Sequence, residues 1–134
     1  MRNHAVVSRR ILVVEDNDDV GEVLHDLLTI EGHQVVLATD GAAALRQAQV
    51  FDPQVALIDI GLPGISGHDV ARQLRSVFGD RLFLIALSGY TATSDRAEAA
   101  EAGFNAYLIK PVEPDALAAL IAAVPAPPLA DPPV

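Results

Sequence analysis

Five times along the chain, a short run of β-branched and aliphatic residues gives way to a stretch with helical character, and this alternation constrains the fold more than any other feature. The strand-like runs are Ile11 to Val14, Gln34 to Ala38, Val55 to Ile58, Leu82 to Leu87 and Ala106 to Ile109. Between them Val20, Val23, Leu24, Leu27 and Leu28 repeat at the spacing of one helix face, as do Val70, Leu74, Val77 and Phe78, and later Leu117, Leu120, Ile121 and Val124. Two Ala-rich stretches, 42–49 and 96–102, are read as helices from their helix formers and from Asp40 as an N-cap and Gly103 as a C-terminal stop. Near-continuous apolar strands separated by helices predict a parallel sheet covered on both faces, a doubly wound α/β domain.

In such a sheet ligands bind beyond the carboxyl ends of the strands, so the residues that leave each strand matter most. They are Glu15 and Asp16 after the first, Asp59 after the third, Ser88 after the fourth and Lys110 after the fifth, while Thr39 and Asp40 after the second read as a helix cap. Asp59 needs explaining, since it ends the run VALID, and a carboxylate is disfavoured in a strand and costly to bury. If the first, third, fourth and fifth strands are neighbours, three carboxylates, a hydroxyl and the single lysine of the chain converge. Carboxylates held together raise one another's pKa unless a cation offsets them. Oxygen ligands without His or Cys suit Mg²⁺, which takes one or two carboxylates, water and phosphate oxygens. A carboxylate nucleophile, a metal, a lysine and a hydroxyl together form a set suited to phosphoryl transfer through an acyl phosphate.

Taken singly these residues have plainer explanations. Glu15 to Asp19 (EDNDD) suits a solvated helix start, Asp59 a turn with Gly61 and Pro63, Ser88 a turn with Gly89, Lys110 a surface position and Tyr107 a core aromatic. Their joint complementarity at four strand ends is what turn chemistry leaves unexplained. His4, His25, His33 and His68 show no metal-ligand spacing and are read as surface or helix-face residues, Asp69, Arg72 and Arg75 as a solvated face, and Gly67 as the structural start of the third helix.

The order VVEDN, DIGLPGISG, ALSG and YLIKP, on alternating βα units, resembles the receiver domain of bacterial two-component response regulators over about Arg10 to Val124. The resemblance implies a five-stranded parallel sheet in the order 2-1-3-4-5, the flavodoxin-like receiver fold. It implies Asp59 as phosphoacceptor and as one of the Mg²⁺-binding residues, with Asp16 a direct ligand, Glu15 binding the ion largely through water and the carbonyl of Gly61 a further ligand. Ser88 and Lys110 would take phosphoryl oxygens, Tyr107 would be a switch aromatic moving with Ser88, and Lys110–Pro111 would be cis. Gly61 and Tyr90 occupy the positions that tune hydrolysis of the acyl phosphate, one open and one bulky. The implied partners are a histidine kinase or histidine phosphotransfer protein as donor and an unknown downstream protein, met by a monomer or a phosphorylation-dependent dimer through the fourth helix, fifth strand and fifth helix. The protein would act as a switch and not as a turnover enzyme.

Other function classes are weaker. A phosphatase with an Asp nucleophile usually has a second acid two residues on, where this chain has Gly61, and a flavin site would want a Ser/Thr-rich phosphate loop where Glu15 and Asp16 stand. A receiver-like module that is never phosphorylated is disfavoured by the intact acceptor, metal and lysine positions. A net charge of −9 disfavours nucleic acid and anionic membranes as partners. With no cysteine, no signal peptide and no apolar run long enough to span a membrane, a soluble, cytoplasmic protein is expected. Residues 1–9 read as a disordered lead-in, 10–124 as the receiver domain and 125–134, with five prolines, as an extended tail or linker. No effector domain fits in 134 residues, so a stand-alone or phosphorelay receiver, or a piece of a longer chain, is expected, and the starting Met1 favours an N-terminal or complete chain.

Overall fold

The computed structural model describes residues 8–89 and 93–125. Five strands, β1 (Arg10–Val14), β2 (Gln34–Ala38), β3 (Val55–Asp59), β4 (Phe83–Ser88) and β5 (Ala106–Ile109), alternate with five helices. These are α1 (Asp18–Ile30), α2 (Gly41–Phe51), α3 (Gly67–Phe78), α4 (Thr93–Ala102) and α5 (Pro114–Ala123). All strand pairs are parallel and the sheet order is β2-β1-β3-β4-β5, as the resemblance implies.

Alternation along the strands divides the core into two layers. Ile11, Val13, Val55, Leu57, Ile85 and Leu87 point to the side of α1 and α5, against Leu24, Leu28, Leu117 and Ile121. Leu12, Val14, Ala56, Ile58, Leu84 and Ala86 point to the other side, against Ala44 and Ala48 of α2, Val70 and Leu74 of α3, and Ala99 of α4. With both faces covered, β3 and β4 carry no polar side chain until Asp59 and Ser88 at their carboxyl ends, which is where chemistry can be placed.

The helix starts follow the expected capping chemistry. Asn17 Oδ1 accepts from the Val20 amide at 3.1 Å, Asp40 Oδ1 from Ala43 at 2.8 Å and Ser66 Oγ from Asp69 at 3.2 Å. Gly103 ends α4 with φ +105°, a conformation that other residues rarely adopt. The helical stripes were wider in sequence than the buried faces. Val23 and Val77 are more than half exposed, because α1 buries Leu24 and Leu28 and α3 buries Val70, Ala71, Leu74 and Phe78.

Two basic residues tie the end of the sheet opposite the strand carboxyl termini. Arg9, at the boundary of the expected lead-in, is buried, and its guanidinium donates to the carbonyls of Val124 at 2.6 Å and Pro125 at 3.0 Å. Its amide donates to His33 Nδ1 at 3.0 Å, so His33 is a buried acceptor rather than a surface residue, and burial pushes its pKa below the ordinary histidine value. Residues 1–7 and 126–134 of the expected lead-in and tail, and His4 with them, lie outside the described residues.

Arg75 corrects the reading of a solvated face. Its guanidinium donates to the carbonyls of Gly79 and Leu82, each at 2.6 Å, to Gly103 at 2.6 Å and to Asn105 Oδ1 at 2.7 Å. It thereby joins the end of α3, the entry to β4 and the turn before β5, whereas Asp69 and Arg72 are exposed as expected. Charge-assisted bonds of this kind contribute roughly 1.5–3 kcal/mol each and do not add. Arg75→Ala is predicted to destabilise the fold by about 2–3 kcal/mol in urea titrations, and Arg72→Ala by under about 0.5 kcal/mol.

Candidate phosphoacceptor and metal site

Strand register brings the site together. Asp59 pairs with Leu87 one residue before Ser88, and Ser88 pairs with Ile109 one residue before Lys110. The Lys110 amide donates to the Ser88 carbonyl at 2.8 Å, and the Ile60 amide to the Leu87 carbonyl at 3.0 Å, so the pairing extends past the strand ends. Glu15 is fixed on the β2 side by its amide, which donates to the Ala38 carbonyl at 3.0 Å. Glu15, Asp59 and Lys110 continue the strand alternation that began at Val13, Leu57 and Leu108, and so share one side of the sheet.

Asp59 is 8% exposed, Glu15 3% and Ser88 1%, while Asp16 and Gly61 are exposed at the rim. The Lys110 ammonium sits 2.6 Å from Glu15 Oε1 and 3.1 Å from Asp59 Oδ2. Its contact to Asp59 is a hydrogen bond, and the shorter contact to Glu15 Oε1 is a close ion pair. Glu15 Oε2 accepts from the Asn17 amide at 3.1 Å, and Asp59 Oδ1 accepts from the Gly61 amide at 2.9 Å. The Lys110–Pro111 bond is cis.

The electrostatics leave the cluster short of positive charge. Burial, with the neighbouring Asp59 charge, raises the Glu15 pKa despite the opposing pull of Lys110. Burial also works against the Lys110 ammonium, but its contacts to Glu15 and Asp59 outweigh this and lift its pKa above the ordinary 10.5. Both shifts favour the protonated form, as expected where one ammonium faces several carboxylates. Glu15, Asp16 and Asp59 each offer an oxygen, and the three lie within 4.8 Å of one another. This all-oxygen set, with one ammonium among three carboxylates, fits a hard divalent cation, which would supply the missing charge.

Beside these acids lies an open cleft of about 490 Å³, lined by Asp59, Ile60, Gly61, His68, Ser88, Gly89 and Lys110. Gly67 lets α3 approach it, since a Cβ there would strike the backbone of Asp59 and Ile60. Tyr107 is outside that lining, half-buried against the α2–α4 layer with the Arg96 guanidinium 4.7 Å over its ring. Tyr90, the bulky tuning residue, falls outside the described residues. His68 was missed by the sequence reading, because a lone histidine on a helix carries no spacing signal. Its ring stands edge-on to Phe104 with centroids 6.2 Å apart.

The response regulator receiver domain family matches residues 11–122. This chain belongs to that family. It is 41% identical over 115 residues to the transcriptional regulatory protein KdpE of Mycobacterium tuberculosis, covering 85% of this chain and 50% of that protein. It is 36% identical over 115 residues to the DNA-binding response regulator MtrA of Mycolicibacterium smegmatis, covering 86% of this chain and 50% of that protein. The receiver thus spans about half the length of the curated relatives it matches, and their names withdraw support from the expectation of no nucleic-acid partner. Among solved structures, the receiver domain of a sensor histidine kinase from Pseudomonas aeruginosa matches with TM-score 0.77 and 33% identity, over 86% of this chain and 95% of that one. That structure has a magnesium ion coordinated in its active-site cleft. The BeF3-activated N-terminal receiver domain of RstA from Klebsiella pneumoniae matches with TM-score 0.78 and 27% identity, over 84% and 94% of the two chains. No helix among the described residues is long and apolar enough to cross a membrane.

The pKa shifts fix the sign of a metal-linkage prediction. Because the folded-state pKa of Glu15 lies above its ordinary 4.5, its ionised form costs stability at neutral pH, and the cost disappears as pH falls through the raised value. The raised pKa of Lys110 makes its contribution complete below about 10.5 and lost as pH climbs through the folded value. Glu15→Gln is therefore predicted to raise the melting temperature in metal-free buffer at pH 7. Mg²⁺ at a hundred times its dissociation constant should stabilise the parent by about 2.7 kcal/mol, an increment that Glu15→Gln largely removes in thermal melts.

Proposed function

We propose that this receiver accepts a phosphoryl group on Asp59 from a phosphohistidine of a partner histidine kinase or phosphotransfer protein. The observation that carries the reading is the placement of Asp59, buried yet opening onto the cleft, with one oxygen held by Lys110 and the other by the Gly61 amide. A carboxylate oxygen bonds to phosphorus as the phosphorus–nitrogen bond breaks, and the imidazole keeps the electron pair. The two amide and ammonium contacts hold the carboxylate in one orientation, which lowers the entropic part of the barrier. Glu15, Asp16, Asp59 and the Gly61 carbonyl would hold Mg²⁺, which when bound neutralises phosphoryl oxygens. Lys110 exchanges part of its pairing with Asp59 for a phosphoryl oxygen, and the Ser88 hydroxyl donates to another.

Transfer changes the local charge where Ser88 leaves β4, and Ser88 is hydrogen-bonded through its carbonyl to Lys110 at the end of β5. The switch is read as a population shift that couples Ser88 to Tyr107 and alters the α4–β5–α5 face. An apolar groove formed by Val20, Val23 and Leu27 of α1 with Pro111 and Val112 adjoins Lys110, and suits a donor helix delivering its histidine to the cleft. The chain is a single-use acceptor rather than a turnover enzyme, because Gly61 stands where an Asp-based phosphatase carries its general acid.

Incubation with acetyl phosphate and Mg²⁺ is predicted to add one phosphoryl mass to the intact protein. Asp59→Asn and chelation by EDTA should each abolish the adduct, and Lys110→Ala should reduce its rate by roughly tenfold or more, the loss of one charge-assisted contact. An adduct that survives in Asp59→Asn would assign the acceptor elsewhere.

A further inference from the structure

The last turn of α5 draws its cap from the far end of the sequence. The helix has one charged residue, Asp115 at its start, and no basic residue in its last turn, so the carbonyls that end it find no cation within the helix. Arg9 supplies it. Its guanidinium, on a residue only 4% exposed, donates to the Val124 carbonyl at 2.6 Å and the Pro125 carbonyl at 3.0 Å. The backbone of Arg9 is held in turn by the entry to β2. Its carbonyl accepts from the Gln34 amide at 2.9 Å, and its amide donates to His33 Nδ1 at 3.0 Å. Leu117, Ile121 and Val124 anchor the same stretch in the core, so three apolar side chains and this arginine set where α5 ends.

An Nδ1 that accepts a hydrogen bond carries no proton, so in this arrangement His33 is neutral with its hydrogen on Nε2. Protonation would turn Nδ1 into a donor facing the Arg9 amide, itself a donor, and would set a second positive charge beside the arginine. From this geometry we infer that Arg9 and His33 form an acid-released latch. With His33 neutral the arginine fixes the end of α5 and the direction in which the chain leaves it, and protonation of His33 frees both. Among the described residues, burial weighs most against the imidazolium, Arg9 adds to it, and the exposed Glu31 opposes them without prevailing. A folded-state pKa below the ordinary 6.5 makes the latch complete above that pH and released as pH falls below it. The latch lies at the edge of the sheet away from the acidic cleft and assumes nothing about Asp59. Because α5 borders the proposed output face, acid would loosen that face with or without a phosphoryl group.

The test is amide hydrogen exchange of the intact chain, expressed as protection factors, with the His33 ring followed by NMR in the same samples. Protection of Ile121 to Val124 is expected to fall about tenfold between about pH 7.5 and about pH 5, while β3 and β4 stay constant, with the midpoint of the His33 titration. His33→Asn, whose side-chain oxygen can accept from the Arg9 amide but does not titrate, should keep the high-pH protection throughout, which a merely structural role would not produce. Arg9→Met should show the low protection at both pH values and, with its neighbouring cation gone, a higher His33 pKa. If methionine is not accommodated, Arg9→Lys, with one nitrogen for two carbonyls, should give intermediate protection. Protection that does not change with pH in the parent, or a fall that persists in His33→Asn, would overturn the latch. A fall shared equally by β3 and β4, or unchanged protection in the folded Arg9 variants, would overturn it as well. Each of these outcomes leaves the assignment of Asp59 untouched.

Discussion

Everything at the carboxyl edge of this sheet depends on one ammonium group. Lys110 stands 2.6 Å from Glu15 and 3.1 Å from Asp59, and without it two buried carboxylates would face each other in a region of low dielectric. The ammonium does not fully offset the burial, since the Glu15 pKa stays raised. A site balanced this way suits a cation and would respond to a group that competes for the lysine. A phosphoryl group on Asp59 is such a competitor, because its oxygens carry more charge than the carboxylate it replaces.

The fold serves this pocket by register and by close approach. Parallel pairing carries Asp59, Ser88 and Lys110 to the same height at the strand ends. Gly67 allows α3 to seat against the backbone of Asp59, which brings His68 to the cleft wall. At the opposite end of the sheet Arg9 holds the carbonyls of Val124 and Pro125, and on the α3 side Arg75 gathers the turns that lead into β4 and β5. Arg75 acts at a distance from the chemistry, yet it ties the entries to β4 and β5, the strands that end at Ser88 and Ile109.

The strands were legible because both faces are covered, so each appears as an uninterrupted apolar run: β2 and β5 were placed to the residue, β1 and β3 within one residue at an end. The helices were legible in position but not in exposure, since a stripe such as Val20 to Leu28 records what could be buried, whereas only Leu24 and Leu28 reach the core. Glu15, Asp59, Ser88 and Lys110 were legible because each follows a strand, and strand order puts those exits together. Arg75, His33 and His68 were not, for a shared physical reason: their meaning comes from acceptors or neighbours far along the chain, 28 and 30 residues away for Arg75. Side-chain chemistry alone marks such residues as ordinary polar surface.

The central claim is that charge placed on Asp59 is transmitted through Ser88 to the α4–β5–α5 face. It is tested most directly by amide NMR of the Mg²⁺-loaded protein with beryllofluoride, a tetrahedral mimic of the phosphoryl group. The account predicts large shifts at Ser88 and Tyr107 and continuous shifts through α4, β5 and the start of α5, all absent in Asp59→Asn. Shifts confined to the loops after β1 and β3, with α4 and β5 unchanged, would contradict it.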